Sequence, residues 1–440
     1  MRVPVSPKIP ESDLSITAEH GKKSKMNSQK FLKYADNDFL HESGSSIIRF
    51  SNPERNACLT YYPLIQGASF MKFTVTRNSL LNELNLVQGV IEKKSTIPIL
   101  SNILLEASGE YLDITATDLD VTIRCGCSAE VEVEGTTTIS ARRLFEIVRL
   151  LPEGSDICFS LLENDWVILN SGKSEYKIVA LPKENFPSIP ETTPEISQIP
   201  GGILRSMIQR TMFAITQEES RYSLNGALLV LLPGEVRMVA TDGHRLALVS
   251  KKMEVPGIEG EVRALIPRKT LVEIMKLIGD QDPLDLEFGR DENHLFFLVE
   301  NRKLVSRVLA GQFPNYELVI PRENDKYVVA DTKNLGDGIR RAAIMSDEKL
   351  KSIRLSFNAG FVELTARSAD AGEARDEVPV EFEGDTIDIG FNPQYLLDFL
   401  TVCSSESISI SLKDSETQGL FRPVGSSDLD YRYVVMPMKF

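Results

Sequence analysis

The chain is 440 residues long, 42% hydrophobic and 25% charged, an ordinary composition for a soluble globular protein with room for about two to four domains. No apolar run approaches the roughly 20 residues that span a bilayer, no secretory h-region opens the chain, and five cysteines in this length point to reduced thiols and the cytoplasm. A formal net charge of −14 argues, taken alone, against nucleic acid as a partner.

Residues 1–70 carry no sustained period, three prolines in the first ten positions, and clusters such as GKKSKMNSQK and HESGSS. They read as an unstructured extension or an upstream addition, because Met71 opens MKFTVTRNSLLNEL, an alternating strand that runs into an amphipathic helix. From there one unit of about 120 residues occurs three times, over 71–192, 198–320 and 321–440. Each copy opens with a strand and a helix: FTVTRNSLLNELNLVQGVI, GGILRSMIQRTMFAI, DTKNLGDGIRRAAIM. Strand pairs follow, joined at the turns SGE, PGE and NAG. A second helix then appears as SARRLFEIVRLL (140–151), as PRKTLVEIMKLI (267–278), and more weakly as QYLLDFL (394–400). Leu144, Glu146, Ile147 and Leu150 recur as Leu271, Glu273, Ile274 and Leu277, with Asp398 as the acid of the third copy. Further strand pairs close each copy, so the fold class is α+β: two helices laid on antiparallel sheet, three times over. Leu144, Ile147, Val148 and Leu151 share one helix face for the sheet, and Arg142 and Arg149 share the open one.

Charge is divided by element. The six predicted helices (77–87, 141–151, 203–215, 267–278, 333–345, 392–402) hold 12 basic and 5 acidic residues. Residues 71–440 hold 40 basic and 56 acidic groups, so basic helices sit inside an acidic remainder. Glutamate forms helices as well as lysine does, so helix propensity does not account for the bias.

Catalytic chemistry is sparse. There are four histidines and no HxH, HExxH or CxxC pair, and no glycine-rich phosphate loop. No cofactor is implied. Asp118 and Asp242 recur in TATD and VATD; a metal-dependent nuclease could be built on such aspartates, but turn capping explains them more simply. Two features occur in one copy alone. TDGHRL at 241–246 follows RYSLNG at 221–226, and the terminal YRYVVMPMKF offers two methionines close to the chain end. Polar hooks beside adaptable apolar side chains suit a short linear peptide.

MKFTV, TIPILSNILLE, ATDL, RYSLNG, VATDGHRLA, IPRK, FPNY, IGFNPQYLLDFL and VVMPMKF, in this order from Met71 to Phe440, resemble the beta sliding clamps of bacterial DNA polymerase III. The resemblance implies a non-catalytic processivity subunit of that polymerase holoenzyme: three clamp-type domains per chain, and two chains closed head to tail into a six-domain ring. Twelve helices spaced about 9–10 Å apart on a circle give an axis diameter of about 34–38 Å and a hole of roughly 24–28 Å, wide enough for duplex DNA. By resemblance, sequence-independent DNA contacts fall on Lys94, Arg142, Tyr222, Arg268 and Lys269. Glu218 and Ser223 depart from the family pattern in the adjoining loop. A partner-peptide pocket falls on Arg221, Leu224, Thr241, Gly243, His244, Arg245, Leu246, Pro314, Val319, Asn392, Tyr395, Val434, Met436, Pro437 and Met438. It would serve the polymerase III alpha subunit, the clamp loader, and other polymerases and repair proteins bearing a clamp-binding motif. Leu318 and Glu416 differ from the family at its rim. The homodimer seam would bring Tyr176 and Ile178 to Ile344 and Met345, with the acidic stretch 373–377 facing Lys173. A peptide-binding scaffold that does not encircle DNA is the competing reading.

Overall fold

The computed structural model describes residues 70–91, 97–189, 197–218, 220–280, 283–347, 351–368, 372–425 and 428–439, together with the backbone of two short strands, Ser15–Thr17 and Lys23–Lys25, which pair antiparallel. The rest of the expected extension, and Lys94, lie outside the described residues. Among the described residues there are six α-helices: α1 (Arg77–Val87), α2 (Ala141–Leu150), α3 (Gly201–Thr211), α4 (Arg268–Ile278), α5 (Thr332–Ala343) and α6 (Pro393–Val402). Each falls on a stretch whose periodicity predicts it, and their ends have local causes. Pro152 follows α2, Gly279 ends α4 at φ +79°, and Asp331 caps α5 by accepting a hydrogen bond from the Asn334 amide at 2.7 Å. Asn392 caps α6 in the same way, receiving the Gln394 amide at 2.9 Å ahead of Pro393 in the first turn.

Two compact units make up the described chain. The first comprises residues up to 82, 104–113 and 127–183. In it Met71–Thr76 lies between Asp156–Leu161 and Glu130–Val133, and the hairpin Trp166–Ser171/Ser174–Leu181 extends the sheet beyond Asp156–Leu161. Along α2, Ala141, Leu144 and Val148 are buried, and Leu151 follows them inward. Burial of each larger side chain contributes about 2 kcal/mol. Ile147 is only half-buried, and Leu150 stands 77% exposed although its repeat partner Leu277 is 2% exposed. The shared leucine is therefore core in one copy and surface in the other.

The second unit comprises residues 83–103, 114–126 and 184 onward. Its main feature is a twelve-stranded antiparallel sheet. From one edge, the strands Val262–Pro267, Gly226–Leu232, Glu235–Thr241 and Arg245–Lys252 come from the second copy. Asp430–Val435 then pairs with Arg245–Lys252, joining Leu246 to Val434 and Ser250 to Asp430. Gly419–Pro423, Ser407–Leu412, Lys326–Asp331 and the remaining strands of the third copy complete it. The second and third copies are thus fused through a continuous ladder of backbone hydrogen bonds. Helix α5 lies so close on this sheet that a Cβ at Gly338 would fall 2.6 Å from Val378 Cγ2 and 2.9 Å from Leu364 Cδ1. Glycine is required there by proximity.

A charged junction ties 83–126 to the second copy inside this unit. Glu83, 4% exposed, receives two hydrogen bonds from the Arg302 guanidinium, at 2.7 and 3.1 Å. Lys269 Nζ donates to the Val90 carbonyl at 2.8 Å and to the Asp118 carboxylate. Lys276 bonds the buried Glu273 at 2.9 Å, and both side chains crowd the space a Cβ would need at Gly89.

Candidate functional site

The turn Thr241–Leu246 is built by its own polar atoms. Asp242 Oδ1 accepts the amides of His244 and Arg245 at 2.9 and 3.0 Å, and Thr241 Oγ1 accepts the Gly243 amide at 3.1 Å while donating to the Arg245 carbonyl at 2.6 Å. Gly243 sits at φ +89°, a conformation that other residues adopt only with strain. Asp118 shapes the corresponding turn of the first copy, accepting the amides of Asp120 and Val121 at 3.0 and 2.6 Å. Both repeated aspartates therefore act as turn caps.

Arg245 organises everything behind that turn. Its guanidinium donates to Asp398 Oδ2 at 2.5 Å, to the Phe213 carbonyl at 2.6 Å and to Asp242 Oδ2 at 3.1 Å, with only 9% of the residue exposed. It lies 4.4 Å from the Tyr395 ring centroid and 5.2 Å from that of Phe213. Burial disfavours its charge, but the hydrogen-bonded Asp398 and the nearby Asp242 carboxylate help to outweigh burial, and its pKa is raised. Tyr433, fully buried, donates to the Tyr395 carbonyl at 2.8 Å and stacks on Phe399 at 5.0 Å. Burial pushes the phenols of Tyr433 and Tyr395 above their ordinary range, so both remain neutral.

Around this frame the predicted pocket residues assemble. Leu246 and Val434, 2% and 1% exposed, face each other across the ladder and belong to the core cluster on which Leu224 and Val319 pack half-buried. They form a floor, not a contact surface. His244 is exposed, its ring 6.5 Å from that of Tyr395, and its carbonyl accepts the Met436 amide at 2.9 Å. Met436 is 41% exposed, and the Met438 amide donates to the Gly390 carbonyl at 2.8 Å. Those two bonds hold the tail across Pro437 beside α6. Arg221 donates to the Asp242 carbonyl at 2.9 Å and pairs with Glu218 at 3.1 Å. Pro314 is exposed, and Leu318 projects 78% exposed from the short helical turn Tyr316–Leu318. Asn392 carries the cap of α6 described above, so its side chain has a structural duty. The result is an apolar surface rimmed by a hydrogen-bonded polar turn.

Sequence reasoning missed the second layer: Asp398, Phe213 and Tyr433. Asp398 was visible as the acid of the third repeat, and the position it shares with Glu146 and Glu273 holds a different cation in each copy: Arg142, Lys276 and Arg245. Phe213 and Tyr433 had no signal, since their sequence separation hides their proximity.

The expected DNA-facing residues fare unequally. Arg142 is open, its side chain 82% exposed and paired with Glu146 at 2.9 Å, and Tyr222 is 67% exposed. Arg268 is partly engaged, donating to the Met212 carbonyl at 3.0 Å. Lys269 is occupied inside the fold by Asp118 and Val90, so a phosphate would compete with a nearly buried carboxylate. Of the seam residues, Ile344 is 76% exposed at the end of α5, Met345 and Tyr176 are half-exposed, and Ile178 is buried. Among the described residues, Ser174–Leu181 has a second strand neighbour only at Ala180 and Leu181, and Gly372–Glu381 only at Val380 and Glu381. Both strands present an open edge. The acids of 373–377 already have partners in their own copy: Asp376 with Arg341, Glu373 with Arg367, and Glu377 with Arg375.

Three family models for the DNA polymerase III beta subunit match in tandem: the N-terminal domain over residues 71–190, the central domain over 198–315 and the C-terminal domain over 317–439. The chain belongs to the DNA polymerase III beta subunit family. Beta sliding clamps of Pseudomonas aeruginosa and Caulobacter vibrioides are 37% and 38% identical to it over 372 and 380 residues, each covering 84% of this chain and all of the relative. The solved structure of the P. aeruginosa beta subunit superposes with a TM-score of 0.80 at 36% identity, covering 84% of this chain and 100% of that one. A Bartonella birtlesii sliding clamp bound to griselimycin superposes with the same TM-score at 31% identity and the same coverage. The first of the three matches begins at Met71. Among the described residues no helix is long and apolar enough to cross a membrane.

Proposed function

We propose that the chain is one half of a head-to-tail homodimeric ring that encircles duplex DNA in the cytoplasm and tethers the replicative polymerase without catalysis of its own. One observation carries the recruiting role: the surface where exposed His244 lies beside Tyr395 and holds the Met436 amide, with a buried Leu246–Val434 floor behind it. Apolar peptide anchors would seat there on a preformed frame, so that little ordering cost attaches to binding. The polymerase III alpha subunit, the clamp loader and repair factors would use it in turn. The three domains follow the repeats, 71–192, 198–320 and 321–440, and the open strand edges with exposed Ile344 and half-exposed Tyr176 support closure between two copies. Phosphate contacts through Arg142, Tyr222 and Arg268 would be few and sequence-blind, which permits sliding. The protein loaded on nicked circular DNA should fall off when the DNA is linearised. Retention on linear DNA with free ends would refute the ring and favour a scaffold.

A further inference from the structure

A cleft of about 800 Å³ opens on the sheet beside the peptide surface, and Tyr316, Ile320, Arg322, Arg422 and Arg432 are among the residues that line it. Four carboxylates also line it, but they are already taken. Glu235 holds Arg237 through two bonds of 2.8 Å, and that guanidinium depresses the Glu235 pKa. Glu317 adds to Arg237 at 3.3 Å, Asp428 pairs with Lys251 at 3.3 Å, and Asp430 takes Arg432. Arg322 and Arg422 are left without a carboxylate partner among the described residues. Arg422 also buries its Nε with no hydrogen-bond partner. The ladder between these strands ends where Phe421 pairs with Tyr433, and Arg422 and Arg432 follow it on adjacent strands. Asp430 answers Arg432, whereas Arg422 has no carboxylate of its own among the described residues.

We infer that this cleft receives acidic side chains flanking the peptide that occupies the neighbouring surface, an inference that rests on the peptide-pocket reading. Continuity supports it: Val319 of the peptide surface and Ile320 of the cleft are consecutive, and Tyr316 belongs to the same core cluster as Leu246 and Val434. Charge selects the occupant. Two unpaired guanidiniums suit one or two carboxylates bound bidentately.

The test uses the full-length protein and a fluorescent clamp-binding peptide of the same organism's polymerase III alpha subunit, bare or extended at either end by three glutamates or three glutamines. Wild type is compared with Arg322→Ala/Arg422→Ala and with Arg322→Glu, an exposed position where misfolding is a small risk. The bare peptide should bind all three proteins alike. Glutamates at one end should tighten binding to wild type about fivefold at low salt, and glutamines should not. The gain should vanish in both variants, and a lysine extension should recover it in Arg322→Glu. No glutamate gain, or a gain that survives in the variants, overturns the inference while bare-peptide binding leaves the pocket reading intact. A bare peptide that fails to bind removes both. A fluorescent oligonucleotide whose binding depends on Arg322 and Arg422 would assign the cleft to nucleic acid and also overturn it.

Discussion

At the scale of single residues, the most consequential side chain is Arg245. It is buried, charged, and shared by Asp398, Asp242 and the Phe213 carbonyl, so truncation strands two carboxylates at once. Arg245→Ala should cost about 3 kcal/mol of stability, read from urea denaturation, and should abolish binding of the alpha-subunit peptide. Lys269→Ala should destabilise by a similar amount, because Asp118 keeps its turn amides and loses its cation. A purely DNA-contacting lysine would lower DNA affinity and leave the melting temperature unchanged, so calorimetry separates the two roles. Glu235 offers a pH signature. The Arg237 bond lowers its folded pKa below the unfolded value of about 4.5, so its contribution is present above that pH and is lost as pH falls through the folded value. Glu235→Gln should therefore lower the melting temperature near pH 6, and the difference from wild type should shrink as the pH falls below the ordinary carboxylate range.

At the scale of elements, the repeated helix divides into what recurs and what does not. Leu144 and Leu271 are core in both copies because each helix must seat an apolar stripe on its own sheet. The basic positions recur in sequence and diverge in structure: Arg142 stays open and Lys269 turns into the charged junction. Periodicity reads burial well and charge destination poorly, since a lysine's four-carbon stem reaches partners that no local pattern reveals. Leu150 shows the same limit on the apolar side: an identical repeat position is 77% exposed because no element of its own unit covers it. Helix α5 is set by close approach, so Gly338→Ala should displace it from Val378 and Leu364 and cost about 1–3 kcal/mol, measurable by thermal unfolding.

At the scale of the whole molecule, basic helices sit inside an acidic remainder, and in the proposed ring that segregation would let an acidic protein hold DNA. Arg142→Ala should lower the salt dependence of DNA association by about one unit of log–log slope, with no change in sequence preference. Ile344, exposed in the single chain, belongs to the proposed seam, and Ile344→Arg should convert the species seen by analytical ultracentrifugation from two chains to one while leaving alpha-subunit peptide affinity intact. The α+β repeat, the helices, the glycine turns and the family are legible in the order of residues, because those follow from local periodicity, capping and motifs that survive without three-dimensional context. Which repeated side chains are used is set by folding. The Arg245 network joins residues from 213 to 433, the second and third copies share one sheet, and two arginines in a cleft have no carboxylate partner among the described residues. Each depends on distances between residues far apart in the chain, and electrostatic energy depends on distance and burial, which the order of residues does not encode.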